Sequence, residues 1–264
     1  MNLNNHDKKE EAMTYTTEQY QGLLAETITI NGHEENTIHA YMSRPLGQGP
    51  FPGIVLISHA LGWTTFHKEM ANRFAYYGYI AIVPDIWCRV CHGEVEDVMS
   101  KARSEGGLHD DQVIGDSESS SRYIKSLPIS NGKVGVMGSC SGGRHSYLSA
   151  CRTKGVFDAI VDCWGGNVVQ AKDKLTPAQP ISPLEYTKDL SCPLLGLFGN
   201  DDQNPTQEQV DIHEQKLKEH GKEYEFHRYD DAGHGFFYYH MPMYRQQQAE
   251  DSWKRIWDFL GKHL

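Results

Sequence analysis

The chain has 264 residues, of which 39% are hydrophobic and 23% are charged, a composition typical of a globular protein and not of a disordered one. Its length fits one large α/β domain or two small ones. The net charge of −10 disfavours nucleic acid and anionic membrane partners, because phosphate binding needs clustered lysine and arginine.

The amino-terminal segment is polar. Its first 26 residues lack the apolar stretch of a secretory signal, and no apolar run approaches the roughly 20 residues of a membrane span. We therefore expect a cytoplasmic protein with its six cysteines reduced. Residues 1–22 are predicted to form a flexible arm, and residues 23–264 a single domain.

Short apolar runs alternate with amphipathic stretches along the rest of the chain. Segments 26–30 and 38–43 alternate polar and apolar residues around Asn31 and Gly32, which predicts an antiparallel edge hairpin. Further strands are predicted at 53–58, 79–83, 133–137, 159–163, 194–199 and 224–229. Helices are predicted at about 68–77, 112–126, 141–152, 207–220 and 250–260, with 168–188 passing over the sheet. The pattern predicts a doubly wound, mostly parallel α/β sheet with helices on both faces.

The strongest motif is Gly-Ser-Cys-Ser-Gly-Gly at 138–143, between a predicted strand and a predicted helix. It matches the turn that presents a catalytic nucleophile, which here is Cys140. The residues two positions before and after the nucleophile must be small, because the backbone segments approach each other closely there. A helix that begins at Ser141 directs its free N–H groups at the sulfur, which favours thiolate and offers the Ser141 N–H to an oxyanion. The alternative is a buried cysteine in a glycine-rich turn.

A nucleophile of this kind needs an acid and then a histidine, in that chain order. The predicted strand 194–199 is followed by Asn-Asp-Asp, and we assign the acid to Asp202. Spacing alone does not separate it from Asp201, and a helix N-cap role competes for Asp202. His234 lies between two glycines in the loop after the last predicted strand, where its imidazole can reach Cys140.

Two loops after predicted strands carry further candidates. The loop Ser-His-Ala-Leu-Gly at 58–62 is the expected source of a second oxyanion N–H, from Ala60 or Leu61. His59 is a candidate to line the pocket, against the alternative of a loop histidine that only hydrogen-bonds to backbone. Residues 88–92 match the haem-attachment pattern C-x-x-C-H, but no signal segment and no second cysteine pair accompany them, so we expect neither metal nor cofactor.

From about residue 24 onward the chain resembles the dienelactone hydrolase family. The resemblance rests on 138–143, on Leu-Phe-Gly-Asn-Asp-Asp at 197–202, on Gly-His-Gly-Phe at 233–236, on Pro-Asp-Ile-Trp-Cys-Arg at 84–89, and on the end of the chain. It implies an α/β-hydrolase fold, a triad of Cys140, Asp202 and His234, and hydrolysis of an ester or enol-lactone without metal or cofactor.

The chain departs from the family pattern at the expected substrate site. Family members carry a glutamate in the loop that here spans 58–62, and they bind a substrate carboxylate with two arginines. Arg89 matches the first arginine, whereas Tyr238 stands where the second would fall. The resemblance implies substrate contacts from Arg89, Trp87 and Tyr238, with a surface or ion-paired arginine as the alternative for Arg89.

Three activities are compatible with these residues. The first is hydrolysis of a small-molecule ester or lactone through a thioester. The second is acyl transfer to an acceptor other than water, because the two chemistries diverge only at the second step. The third is redox sensing by an oxidisable Cys140 on the same fold, against which the Asp and His partners argue. A homodimer is left open.

Overall fold

The computed structural model describes residues 22–60 and 62–264. The expected arm at 1–22 lies outside these residues except for its last position. Its centre is a sheet of eight strands: β1 (Leu23–Asn31), β2 (Thr37–Pro45), β3 (Phe51–Ile57), β4 (Ile80–Pro84), β5 (Ser130–Ser139), β6 (Ala159–Cys163), β7 (Leu194–Gly199) and β8 (Tyr224–Tyr229).

The strands lie side by side in the order β1-β2-β4-β3-β5-β6-β7-β8. β1 pairs with β2, and β2 with β4, in antiparallel fashion. The other pairs, from β4 through β8, are parallel. The predicted parallel sheet with an amino-terminal antiparallel hairpin is confirmed, although the hairpin strands are longer than predicted. Parallel strands end at one side of the sheet, called here the carboxyl edge, where ligands bind in open α/β sheets.

The described residues form six α-helices: α1 (Thr65–Tyr76), α2 (Val95–Ser104), α3 (Asp110–Ser126), α4 (Ser141–Arg152), α5 (Gln207–Glu219) and α6 (Gln246–His263). Short 3₁₀ turns at His33–Glu35, Lys172–Lys174 and Pro183–Asp189 lie in the connections. The last two fall in the segment predicted to pass over the sheet.

Helix α2 was not predicted, although Val95, Val98, Met99 and Ala102 have the spacing of one helix face. Ala102 is its one buried residue. Acidic side chains in its first turn and basic ones in its last turn also complement the helix dipole.

The two faces of the sheet bury separate apolar clusters. One contains Phe74 of α1 and Ile256 of α6, and the other contains Ile124 of α3 and Tyr147 of α4, all completely buried. Burial of a side chain of this size stabilises the fold by about 1.5–3 kcal/mol. Within the described part of the chain, no helix is long and apolar enough to cross a membrane. The clusters hold β3, β4 and β5 rigidly beside one another at the carboxyl edge.

Candidate active site

Cys140 occupies a strained turn between β5 and α4. Its φ of 57° and ψ of −124° lie in a region that non-glycine residues rarely adopt and that costs about 1–3 kcal/mol. The flanking glycines allow the turn: a Cβ on Gly138 would lie 2.2 Å from the carbonyl oxygen of Gly142, and one on Gly142 would lie 2.2 Å from that of Ile57. The strain therefore fixes the direction in which the sulfur projects.

Backbone hydrogen bonds hold this turn from both sides. The Cys140 N–H donates to the carbonyl of Cys163 on β6 at 3.0 Å, and the Cys140 carbonyl accepts from Arg144 N–H on α4 at 3.2 Å. Cys140 is partly exposed, whereas Cys151 and Cys163 are buried. Burial raises the pKa of both of these thiols, which disfavours their nucleophilic form. Cys140 thus combines partial exposure, which Cys88, Cys91 and Cys192 share, with a direction fixed by the turn.

The structure brings Asp202 to His234. The His234 Nδ1 lies 2.9 Å from Asp202 Oδ2 and 3.2 Å from Oδ1. Asp202 is buried, and its Oδ1 also accepts the N–H of Asn204 at 2.8 Å. Asp201 is exposed, and Thr206 is the N-cap of α5. Neither the Asp201 alternative nor the N-cap alternative describes this geometry.

The charges around His234 favour its protonated form. Partial burial of the ring lowers its pKa, but the hydrogen bonds with Asp202 and Cys140, and their negative charge, outweigh burial and raise the pKa from 6.5 to about 10. Because Nδ1 faces Asp202, Nε2 is the nitrogen available to Cys140. The site can therefore keep a proton next to the sulfur at neutral pH.

Neutral groups pack around the nucleophile. The Tyr238 hydroxyl and the Ser139 hydroxyl are 2.9 Å apart, and Tyr238 is buried. The His59 ring lies 5.1 Å from the Tyr238 ring and 4.5 Å from that of His67, whose Nε2 accepts the His59 N–H. Burial first, and then His240 and His234, lower the pKa of His59 to about 4. His59 is therefore neutral at pH 7. The contact between Tyr238 and Ser139 was not predicted from the sequence.

Two of the backbone N–H groups predicted to bind an oxyanion lie among the described residues. Ser141 is the first residue of α4, so its N–H has no partner within the helix. Ala60 follows β3, the strand beside β5, and is partly exposed. The other predicted donor, Leu61, lies outside the described residues.

Arg89 has a different partner from the one expected. Its Nη1 donates to Asp116 Oδ2 at 2.7 Å and its Nη2 to Oδ1 at 2.9 Å. The Asp116 side chain is completely buried on α3. The ion-paired arginine that was left open as the alternative is therefore present in the structure, and the expected contact with a substrate carboxylate stays a prediction. The sequence signal for Asp116 is an acidic residue on the buried face of an amphipathic helix, where an unpaired charge is rarely found.

A cavity of about 480 Å³ is lined by residues that follow β3 and β4, Ala60 and Asp85 among them. Trp87 lines it, and its indole N–H donates to Ser58 Oγ at 3.1 Å. The triad itself does not line this cavity, but Ala60 does. The other lining residues are His39, Gly62, Trp63, Cys88, Cys91, His92, Gly93, Val95, Val98 and Met99. No group of three His, Cys, Asp or Glu side chains within residues 22–60 and 62–264 is arranged to hold a metal ion, the C-x-x-C-H segment included.

Comparison with known proteins gives a consistent result. Residues 38–264 match the family described as the dienelactone hydrolase family. A candidate carboxymethylenebutenolidase from Methylorubrum extorquens is 29% identical over 96% of this chain and 86% of its own length. A candidate 2-oxo-3-(5-oxofuran-2-ylidene)propanoate lactonase from Bradyrhizobium is 26% identical over 92% and 98%. A candidate dienelactone hydrolase from Klebsiella pneumoniae has a crystal structure that is similar in fold, with a TM-score of 0.83, 24% identity, and coverage of 92% and 100%.

Proposed function

Because the chain belongs to the dienelactone hydrolase family, and is thereby a carboxylic ester hydrolase, we propose that it cleaves an ester or lactone through a thioester on Cys140. One observation carries the proposal: a partly exposed cysteine at a strained strand-to-helix turn faces a histidine that is hydrogen-bonded to a buried aspartate. The curated relatives, one of them named as a lactonase, support the same reaction class.

The first half of the reaction forms the thioester. The Cys140 sulfur attacks the carbonyl carbon, and the carbonyl π electrons move to the oxygen, which accepts hydrogen bonds from the N–H groups of Ser141 and Ala60. When the carbonyl re-forms, the bond to the alcohol oxygen breaks. That oxygen takes the proton from His234 Nε2, and the acyl group stays on sulfur. For a lactone, the released alcohol remains part of the same molecule.

The second half returns the enzyme to its starting state. Water attacks the thioester carbonyl while His234 accepts one of its protons. The carbon–sulfur bond then breaks, which leaves the carboxylic acid, the thiolate of Cys140 and the imidazolium of His234. Asp202 stabilises that imidazolium and keeps Nε2 directed at the sulfur.

Turnover of p-nitrophenyl acetate tests the nucleophile. We expect Cys140→Ala to lower the rate to the uncatalysed background with an unchanged melting temperature, because alanine fits where cysteine fits. Cys192→Ala, which removes another partly buried cysteine, is the matched control and should keep the wild-type rate. Substantial activity in Cys140→Ala would contradict the proposal.

A second measurement examines the intermediate. Rapid acid quenching followed by mass spectrometry should find an acetyl group on Cys140, and free acetate should be the product in the presence of added alcohols. Acetylated alcohol as the main product would favour acyl transfer instead. Absence of turnover with an intact, alkylatable Cys140 would favour the redox-sensing alternative.

A further inference from the structure

One side chain of α1 contacts the connection between β3 and α1 near both of its ends. This connection contains Ala60, whose N–H is proposed to bind the oxyanion. The side chain is that of His67, which lies in the first turn of the helix and is buried. Its ring lies 4.5 Å from the ring of His59, the residue just before Ala60. His67 is therefore placed to influence the backbone from which the Ala60 N–H projects.

Two hydrogen bonds join the His67 ring to this connection. The backbone N–H of His59 donates to Nε2 at 3.3 Å. The hydroxyl oxygen of Thr64 lies 3.2 Å from Nδ1. A backbone N–H can only donate, so Nε2 has no proton, and the single proton of a neutral ring is on Nδ1, directed at Thr64. The two bonds therefore require one tautomer of His67.

The surroundings of His67 keep its ring neutral. Burial first, and then His59 and His240, lower the pKa of His67 well below 6.5. Thr64 is the N-cap of α1, a position at which threonine commonly accepts a backbone N–H of the helix, but its side chain makes no such bond here. The Thr64 hydroxyl is used by the His67 ring in place of the helix cap.

The hydrogen bonds of His59 also set the direction of the Ala60 N–H. The His59 carbonyl accepts the N–H of Gly62 at 2.9 Å. That carbonyl and the Ala60 N–H belong to one trans peptide unit, so they point in opposite directions. Because His67 holds the N–H of His59 and Gly62 holds its carbonyl, the orientation of the next peptide N–H is fixed as well.

We infer that His67 is a positioning residue for the proposed hydrolysis. Its neutral ring, with the proton on Nδ1, holds His59 and Thr64 so that the Ala60 N–H faces the oxyanion. In this role His67 touches neither the substrate nor the sulfur of Cys140, and it acts through the backbone of His59. The inference rests on the proposed function and adds a residue to its machinery.

Two amide variants of His67 separate its hydrogen bonds. The amide oxygen of His67→Gln lies about as far from the backbone as Nε2 and can still accept the His59 N–H, whereas the amide of His67→Asn reaches only as far as Nδ1. A misplaced oxyanion donor lowers the rate by roughly 10²-fold. We expect kcat for p-nitrophenyl acetate to fall by roughly that factor in His67→Asn and by less than about tenfold in His67→Gln, with KM little changed in both.

Alkylation of Cys140 by iodoacetamide, followed by mass spectrometry, is a readout that does not use the oxyanion donors. Displacement of iodide forms no oxyanion, so the alkylation rate of Cys140 in both variants should match that of the wild type. His213→Gln is the matched control, because His213 is another buried, neutral histidine, on α5. This control should change neither kcat nor the alkylation rate, even where it lowers the melting temperature.

Thr64→Val tests the other bond and does not depend on how the His67 variants fold. It removes the partner of Nδ1 with little change in shape, and we expect a several-fold loss in kcat with unchanged alkylation of Cys140. Wild-type kcat in folded His67→Asn, or in Thr64→Val, would overturn the inference. A parallel loss of kcat and alkylation would also overturn it, because the nucleophile itself would then be disturbed. Absence of wild-type turnover, or full activity in Cys140→Ala, would instead count against the proposed function.

Discussion

Replacement of Asp202 by asparagine separates the two candidate acids and probes the charge balance of the site. The Asp202 carboxylate lies 2.9 Å from His234 Nδ1, and its side chain is only 1% exposed, so solvent screens the pair little. Asparagine retains an acceptor for the Asn204 N–H. The variant should therefore fold while it removes the charge that stabilises the imidazolium.

The expected loss is large because two effects act together. A charge-assisted hydrogen bond contributes about 1.5–3 kcal/mol. The asparagine NH₂ can also donate to Nδ1, which leaves the ring proton on Nε2, where it cannot accept a proton from the nucleophile. We expect kcat/KM for a neutral p-nitrophenyl ester to fall by about 10²- to 10⁴-fold. The pKa of His234, about 10 in the wild type, should fall in an NMR titration.

The matched control is Asp201→Asn, which makes the same change at the exposed neighbour and should keep near-normal activity. A large loss in Asp201→Asn beside a nearly normal Asp202→Asn would refute the reasoning. The pH dependence gives an independent check. Because the folded pKa of His234 is raised from 6.5 to about 10, its protonation stabilises the fold fully below pH 6.5, and this contribution is lost as pH rises through 10. The melting temperature of Asp202→Asn should fall less than that of the wild type across this window.

Two further predictions concern the scaffold. Gly142→Ala places a Cβ 2.2 Å from the carbonyl oxygen of Ile57. We expect this variant to lose about 1–3 kcal/mol of stability in urea unfolding and to lose turnover. The control Gly261→Ala has open space around the new Cβ and should show neither effect. Burial raises the pKa of Asp162 from 3.8 to about 7, although the hydrogen bond from the Gly165 N–H opposes the rise. The protonated acid therefore stabilises the fold fully below pH 3.8, and this contribution is lost as the pH rises through 7. Asp162→Asn should therefore lose less stability than the wild type between pH 4 and pH 8; parallel melting curves would contradict this.

The sequence predicted the parts of the site that depend on local geometry. In the turn at Cys140, Gly138 avoids a clash with Gly142 inside the motif, whereas Gly142 avoids one with Ile57 on β3, so the motif contains only part of its own structure. The choice between Asp201 and Asp202 is different, because it depends on which side chain the turn after β7 directs inward. The N–H of Asp201 pairs with the carbonyl of Ala232, and only Asp202 is left facing His234. The spacing of residues along the chain does not indicate that pairing.

The partner of Arg89 could not be predicted for a related reason. Asp116 lies 27 residues further along the chain, on α3. Arg89 needs one nearby carboxylate, and many acidic residues along the chain are candidates for it. Only the packing of α3 determines that Asp116 is the partner. Helix α2 differs, because its apolar residues Val95, Val98, Met99 and Ala102 have helical spacing that the sequence analysis did not use.

The ion pair between Arg89 and Asp116 changes how the remaining charges of the site act on a substrate. In the proposed resting state Cys140 and Asp202 are negative and His234 is positive, so the triad has a net charge of −1. A neutral carbonyl is not repelled by this field, and the negative charge that develops on its oxygen appears next to the positive end of α4.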